Sequence, residues 1–272
     1  MDPLAKSPEL RPWPVAQALH KPVFAAFLLC WALNICLLFF AEKRFLPAAN
    51  VGLVLTMTGA ALIGLARRLP AQNVITAAVL ICVASLGLLG LGQQCGIPFG
   101  SFEFTRKAGV RILGVPWIML LYWVALAIMA RGVSRLPLRP WRKTIHYGYW
   151  MIGLSLLIVL IVTSSAEPLL GPIASYRIWH TRRGMWTWYG MPWSNWMGTA
   201  VGFLGMYVVA TPWLINKQPV KQPVDYHPLI IFLLLEIYLT TASGLAGFWA
   251  ALSVGLAGTI TLAVFAVRGA RW

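Results

Sequence analysis

The amino-acid sequence predicts an all-α integral membrane protein whose helices cross the bilayer several times. Of its 272 residues, 59% are hydrophobic and 11% are charged, and the mean hydropathy is +0.74. A soluble chain would need about twice that share of charged residues to cover its surface, and a chain this apolar is not disordered. The charged residues also fall in short intervals between long uncharged stretches. Composition and charge spacing together exclude a soluble globular domain.

The uncharged stretches define the helices, because a span needs roughly 20 apolar residues and lipid offers the backbone no hydrogen-bond partners. A transmembrane barrel would alternate polar and apolar residues, whereas residues 156–162 read Leu-Leu-Ile-Val-Leu-Ile-Val. The last two helices share one apolar stretch, which Gly244 and Gly247 break; one long tilted helix there is the alternative and gives seven spans. We predict eight helices, at residues 22–41, 47–66, 73–92, 114–131, 146–165, 194–215, 228–244 and 248–267.

Residues 1–21 are predicted to form a Pro-rich cytoplasmic tail, and residues 22–272 a single membrane domain. With eight spans, fourteen of the 22 Lys and Arg residues fall on the side of the termini and eight on the other. Because Lys and Arg are enriched in cytoplasmic loops, this favours the inner (cytoplasmic) membrane with both termini in the cytoplasm. The net charge is +15, but the basic residues are scattered in pairs between the spans, as in loops that anchor membrane helices. This pattern does not indicate nucleic-acid binding.

Two connections, residues 93–113 and 166–193, differ from ordinary loops because they are long and rich in Gly, Pro and aromatic residues. Non-helical backbone near membrane depth persists where it is buried in protein or lines a cavity. Both connections lie on the same predicted face. We therefore expect re-entrant or interfacial segments that pack together over a cavity, and we place the function on that face.

The two connections also resemble each other at a shift of 76 residues. The shift places Thr105-Arg106-Lys107 on Thr181-Arg182-Arg183, and Gly114-Val115-Pro116-Trp117 on Gly190-Met191-Pro192-Trp193. This predicts a parallel internal repeat of two helices with an intervening segment, with Trp117 and Trp193 at equivalent places. The alternative is that Gly-x-Pro-Trp suits a helix start at the interface, which leaves the Thr-Arg-basic triplet without an explanation.

Polar groups inside spans are candidates for function because they are costly in lipid. Glu236 lies in the middle of an apolar span, where a charge costs on the order of 3 kcal/mol or more. We expect it to be protonated or paired, with a neutral structural hydrogen bond as the alternative role. Glu167 ends the fifth span at the start of the second connection. Its alternative role is a capping or interfacial carboxylate.

Aromatic residues crowd the second connection, with His180 among them. Interface anchoring accounts for some of them, but their density favours the wall of a pocket for a long flat or polyunsaturated ligand. The four histidines show no paired spacing and the four cysteines form no Cys-x-x-Cys pair, so no metal site is predicted. The aromatic residues are Tyr176, Trp179, Trp186, Trp188, Tyr189, Trp193 and Trp196.

Three motifs together resemble the carotenoid biosynthesis membrane protein family, over about residues 75–215. They are Cys95-Gly96-Ile97-Pro98-Phe99-Gly100, Gly114-Val115-Pro116-Trp117 with Trp123, and Trp186-x-Trp188-x-Gly190-x-Pro192-x-x-Asn195-x-x-Gly198. The family includes hydratases of acyclic carotenoid ends, such as bisanhydrobacterioruberin and γ-carotene hydratases. The resemblance implies a carotenoid or similar polyisoprenoid ligand.

The chain departs from the family pattern at three places. Leu89 stands about where a glutamate is usual, and Phe102-Glu103-Phe104 stands for Tyr-x-Tyr. Gly171, before Pro172, replaces the second of two acidic residues four apart, of which Glu167 is kept. Ionisable and hydroxyl groups are therefore missing, so the fold and ligand class carry over more directly than the catalysis.

Hydration of a terminal alkene needs an acid to protonate it, a site for the tertiary carbocation and a positioned water. We predict Glu167 as the acid, with Glu103 and Glu236 in reserve, and Asn195 or His180 as the group that holds water. No redox cofactor or metal is required. The predicted substrate wall consists of Phe99, Trp117, Trp123, Trp179, Trp186, Trp188, Tyr189 and Trp193.

A second reading is a non-catalytic subunit that binds a carotenoid or other pigment beside further subunits of a membrane complex, for example a photosynthetic one. The missing carboxylates favour this reading. A transporter is a third reading, supported by the repeat and Glu236.

Overall fold

The computed structural model describes residues 13–40, 43–182, 184–215 and 224–272. Within these ranges, eight helices are long and apolar enough to cross a membrane. At 1.5 Å per residue, the shortest, with 18 residues, and the longest, with 26, measure about 27 and 39 Å, slightly below and above the thickness of a hydrocarbon core, about 30 Å, which helices of roughly 17–25 residues cross. They are α1 Pro14–Phe39, α2 Leu46–Ala66, α3 Ala71–Cys95, α4 Trp117–Ser134, α5 Tyr147–Pro168, α6 Ser194–Leu214, α7 His227–Leu245 and α8 Trp249–Ala270.

The all-α polytopic fold is confirmed, and the count is eight spans because α7 and α8 are separate helices. Between them, Gly247 takes the left-handed region with φ 78°, which glycine adopts at no steric cost. Helix α1 begins at Pro14, inside the predicted tail, because proline fits the first turn of a helix. Residues 1–12 of that tail lie outside the described residues.

The internal repeat is visible in the backbone. Helix α5 begins 76 residues after α3 begins, at Ala71 and Tyr147. Between α3 and α4 lie strands β1 (Phe102–Phe104), β2 (Arg111–Ile112) and β3 (Val115–Pro116); between α5 and α6 lie β4 (Arg177–Trp179), β5 (Thr187–Trp188) and β6 (Met191–Pro192). The hairpins β2–β3 and β5–β6 stand at the same 76-residue spacing.

The two hairpin turns also share their backbone conformation. Leu113 and Gly114 have φ of 50° and 87°, and Tyr189 and Gly190 have φ of 52° and 91°. Positive φ at both central residues defines a turn whose twist matches antiparallel strands. The Gly-x-Pro-Trp motifs are therefore turn-and-helix-start elements in both halves, and Trp117 and Trp193 occupy equivalent places.

The two connections pack against each other, as predicted. Strand β1 pairs with β4 in antiparallel register, with Phe102 opposite Trp179 and Phe104 opposite Arg177. Helix α3 packs on α6 and α4 on α5, so the four helices of the repeat form one bundle. Helix α2 packs on α1 and α4, while α7 packs on α4, α5 and α8. Helix α4 lies at the centre, with most of its side chains buried.

The Pro98-Phe99-Gly100 motif joins the two halves. A Cβ built on Gly92 or Gly198 would lie 2.6 or 2.7 Å from the Phe99 ring, so the ring fits between two glycines. The Ser194 hydroxyl donates a hydrogen bond of 3.0 Å to the Phe99 carbonyl. Phe99 is therefore a packing residue between the halves.

Candidate functional site

An apolar cleft lies inside the bundle between α2, α4, α7 and the end of α5. It consists of two neighbouring cavities that share the side chains of Met119, Tyr122, Ala166 and Leu170; we call them together the interior cleft. Most of its wall is aliphatic, which suits a hydrocarbon ligand. The polar residues in its wall are Asn50, Lys107, Tyr122, Thr163, Tyr176, Arg177, Asn195, Thr199 and Tyr238.

One end of the cleft carries a hydrogen-bond network. The Tyr238 hydroxyl donates to the Asn50 side-chain oxygen at 2.6 Å, and the Asn50 amide donates to the Tyr176 hydroxyl at 2.9 Å. Burial raises the pKa of Tyr176 above its usual value, so this phenol is neutral. The network ties α2, α7 and the second connection together around the cleft.

Tyr122 supplies a free hydroxyl to the cleft. Its oxygen is buried and has no hydrogen-bond partner among the described residues. Leaving a buried hydroxyl unpaired costs about 1–3 kcal/mol, so this group is available to a ligand or water. Tyr122 lines both cavities and lies within electrostatic range of Glu167, Arg177 and Glu236.

Glu167 is fully buried and bound on both carboxylate oxygens. Arg177 donates to one oxygen and the Trp179 indole N–H to the other. A turn of π-helix, Leu169–Ile173, follows α5 and leads the chain back so that β4 faces Glu167. The Arg177 guanidinium also lies 4.3 Å from the Trp179 ring centroid. This constellation is a charge-balanced, hydrogen-bonded ion pair.

Glu236 lies in a different environment. It is 1% exposed in α7, and no cation in the described part of the chain forms an ion pair with it. A Cβ built on Gly255 of α8 would lie 2.7 Å from the Ser165 hydroxyl and 3.2 Å from a Glu236 carboxyl oxygen. A lone charge inside a membrane protein is costly, so this environment favours the neutral acid.

The other predicted polar residues separate into two groups. Asn195 is buried and lines the cleft beside Arg177. Glu103 and His180 are exposed neighbours, 3.8 Å apart, on paired strand segments away from the cleft.

The predicted aromatic wall is dispersed in the structure. Trp123 lines the interior cleft. Trp188 donates a hydrogen bond of 3.0 Å to the Ser164 carbonyl, and Tyr189 packs on Phe248, the residue before α8, with ring centroids 4.8 Å apart. Trp117 is half-buried at the start of α4, whereas Trp186 and Trp193 are exposed on the surface.

Sequence reasoning missed three residues of the cleft: Asn50, Tyr122 and Tyr238. The signal was present for Asn50, which is a polar residue inside an otherwise apolar span. Asn50 and Tyr238 lie on α2 and α7, outside residues 75–215, where the family motifs were found. Only the packing of these helices against α4 brings the two side chains to the site.

A family model described as "Carotenoid biosynthesis protein" matches residues 49–264. This range includes almost all of α2 and every other element that lines the interior cleft. No curated protein and no solved structure matches the chain.

Proposed function

We propose that this protein, which belongs to the carotenoid biosynthesis protein family, holds the end of an acyclic carotenoid in the interior cleft and adds water to its terminal double bond. The observation that carries the proposal is the unpaired Tyr122 hydroxyl in the wall of an apolar cleft, which Arg177 and Asn195 also line. Apolar walls suit the polyene, and a few polar groups suit the chemistry at its end.

The reaction needs a proton donor first. Protonation of the less substituted alkene carbon leaves a tertiary cation at the neighbouring carbon. The oxygen of a water molecule bonds to this cationic carbon, and the resulting protonated hydroxyl group then gives one proton back to a base. Glu236 has no ion-pair partner in the described residues, so it carries the proton that this step needs. Glu167 is held by Arg177 and Trp179, which favours its carboxylate. We therefore assign proton donation to Glu236, with a bridging water to the Tyr122 hydroxyl because the structure has no direct hydrogen bond between the two groups, and keep Glu167 as the competing assignment from the sequence.

The remaining roles follow from position in the cleft wall. The Trp123 ring lies where its face can stabilise the cation. Asn195 at one end, or the Asn50 amide at the other, can orient the attacking water. The aliphatic wall excludes other water, which protects the cation from unselective capture.

Expression in a lycopene-accumulating host tests the proposal, with products read by mass spectrometry for the gain of one water. We expect Glu236→Gln to reduce hydrated product at least about a hundredfold, the low end for losing a general acid, while carotenoid still copurifies. The matched control is Glu103→Gln, because Glu103 is exposed and away from the cleft. If Glu236→Gln forms as much hydrated product as wild type while Glu167→Gln loses it, the acid is Glu167 and not Glu236.

A non-catalytic carotenoid-binding protein is the second candidate, and the Gly171 position favours it. A Cβ on Gly171 would lie 3.5 Å from a Glu167 oxygen. The acidic side chain that the family pattern has at this position would therefore contact the Glu167 carboxyl group. In this chain that second carboxyl is missing, and Glu167 pairs with Arg177 instead. Retention of carotenoid by wild type without hydrated product, and appearance of product in Gly171→Asp, would establish this candidate.

A further inference from the structure

A strongly basic cavity lies at the other end of α4 from the two paired connections. Five guanidinium groups line it, from α4, from the segment after α4 and from the α2–α3 turn. Asp225 is the one carboxylate among the described residues of its wall, so four positive charges are uncompensated there. The residues that define this basic cavity are Arg68, Arg131, Arg135, Arg139 and Arg142.

Arg131 shows that the cavity is built for a counter-ion. Its side chain is 8% exposed, and its Nε has no hydrogen-bond partner among the described residues. Its Nη1 donates to the Thr211 hydroxyl at 3.3 Å, which is a neutral partner. Burying a guanidinium without an anion is strongly unfavourable. Arg131 therefore has no anionic partner among the described residues.

Arg135 adds a second, half-buried cation one helical turn away. It donates to the Leu214 carbonyl at 3.0 Å, again a neutral group. Burial and the charge of Arg131 lower the pKa of Arg135 to about 10, so it is still charged at neutral pH. Like charges four residues apart repel, and an anion between Arg131 and Arg135 would remove that repulsion.

Asp225 is committed elsewhere in the wall. It lies 3.2 Å from Arg68 and accepts from the His227 ring nitrogen at 2.6 Å. Burial alone would raise the pKa of Asp225, but the Arg68 charge and the hydrogen bonds from His227 together hold it below its usual value. This carboxylate therefore balances Arg68, and no carboxylate in the described part of the chain forms an ion pair with Arg131 or Arg135.

The basic cavity continues inward as an apolar pocket between α2, α4 and α7. The two share Arg68, Arg131, Arg135, Leu136, Leu214 and Asp225, and the inner part is lined by Ala60, Ala61, Gly64, Ile128, Met129 and Ile231. A cationic mouth with a hydrocarbon interior is complementary to an amphiphile that has an anionic head and an apolar chain.

We propose that the basic cavity binds a phosphate group, supplied by an anionic phospholipid whose chain enters the inner apolar pocket. Guanidinium groups bind phosphate in a bidentate manner that lysine cannot reproduce. Residues on this side of the bundle are predicted to be cytoplasmic, and anionic lipids of that leaflet are attracted by clustered basic residues. The proposal is independent of the hydration reaction.

Thermal unfolding of the delipidated protein in detergent tests the proposal, because a ligand that binds the folded state raises the unfolding midpoint. The ligands are phosphatidylglycerol, zwitterionic phosphatidylcholine and inorganic phosphate, titrated separately. The cavity variants are Arg131→Gln and the double variant Arg139→Gln with Arg142→Gln. Arg139 and Arg142 are less buried than Arg131, so the double variant tests the cavity even if Arg131→Gln does not fold. The matched control is Arg106→Gln with Arg182→Gln, two exposed arginines on the opposite side.

We expect phosphatidylglycerol to stabilise wild type and control, with at least tenfold weaker binding in the cavity variants. Stabilisation by phosphatidylglycerol alone identifies the lipid as the source of the phosphate, and equal stabilisation by inorganic phosphate identifies a free anion. Three results would overturn the proposal. They are an equal rise of the unfolding midpoint with phosphatidylcholine, an equal rise in the cavity variants and the control, and no rise with either phosphatidylglycerol or inorganic phosphate.

Discussion

The two halves of the repeat, α3–α4 and α5–α6, share a backbone and differ in chemistry. Each contains a helix, a connection with a hairpin of two positive-φ residues, and a second helix at a spacing of 76 residues. In the second half, the connection begins with the ion pair of Glu167 and Arg177. The equivalent positions in the first half are Leu91 and Ser101, both exposed. The two halves therefore share a backbone shape, while the Glu167–Arg177 ion pair lies in the second half alone.

The halves also divide the packing between them. The Phe99 ring of the first half packs against the backbone at Gly198 of the second half, where a side chain would leave no room for it. The position equivalent to Gly198 in the first half is Tyr122, whose side chain points to the interior cleft. The same helix position of the repeat therefore holds a glycine that packs on Phe99 in one half and a hydroxyl that faces the interior cleft in the other.

The largest expected effect is from breaking the ion pair that only the second half has. Arg177→Met leaves the Glu167 charge buried and uncompensated, which should cost about 3–5 kcal/mol of unfolding free energy. The equivalent change Ser101→Met, at an exposed position, should remain within about 0.5 kcal/mol. Denaturation in SDS-containing micelles measures both. The double variant Arg177→Met with Glu167→Gln should recover part of the lost unfolding free energy, because the buried charge is removed. A double variant less stable than Arg177→Met alone would contradict the charge argument.

The next largest effect is expected where Phe99 packs between the two halves. Gly198→Ala places a methyl group 2.7 Å from Phe99 and 2.8 Å from the Pro98 carbonyl oxygen, and overpacking of this kind costs about 1–3 kcal/mol. Gly205→Ala is the control on the same helix, since no atom lies within 4 Å of its Cβ. There we expect no loss and up to about 1 kcal/mol of gain from helix propensity. Equal unfolding midpoints for the two variants would show that the halves are not joined through Phe99.

A smaller effect is expected at the hairpins. Trp188→Phe removes the hydrogen bond to the Ser164 carbonyl and should cost about 1 kcal/mol. The equivalent residue of the first half, Ile112, is 48% exposed, so Ile112→Val should be neutral. Thermal unfolding in detergent separates the two cases. Matching losses at both positions would mean that the hairpins are equivalent in energy as well as in shape.

The smallest effect has opposite signs in the two halves. Leu113 is 81% exposed with φ 50°, so Leu113→Gly relieves the left-handed strain and should stabilise by about 0.5–1 kcal/mol. Tyr189→Gly relieves the same strain but loses the ring contact with Phe248 and should destabilise by about 1 kcal/mol. The same unfolding measurement checks both signs. Stabilisation by both changes would refute a packing role for Tyr189.

Much of the fold could be predicted from the sequence, because lipid restricts the backbone to helices and the uncharged stretches mark them. The repeat could be predicted because Gly114 and Gly190 each precede Pro-Trp in a turn that requires positive φ. The candidate site was predicted in part. Glu167 is predicted from its place at the end of a span, and Asn195 from the third family motif, but Trp186 and Trp193, which are predicted to line a pocket, lie on the surface.

The sequence by itself determined that this is a polytopic membrane protein with two related connections rich in Gly, Pro and aromatic residues, since composition, charge spacing and repeated motifs can be read along the chain. The tertiary structure decided what each polar residue does. The π-helical turn after α5 brings Arg177 to Glu167, and the packing of α2 and α7 against α4 brings Asn50 and Tyr238 to the cleft. Such pairings depend on helix rotation and on distant contacts, which hydrophobic patterns do not specify. The same is true of Arg131 and Arg135, which are ordinary loop-anchoring arginines in the sequence and line the basic cavity in the folded protein.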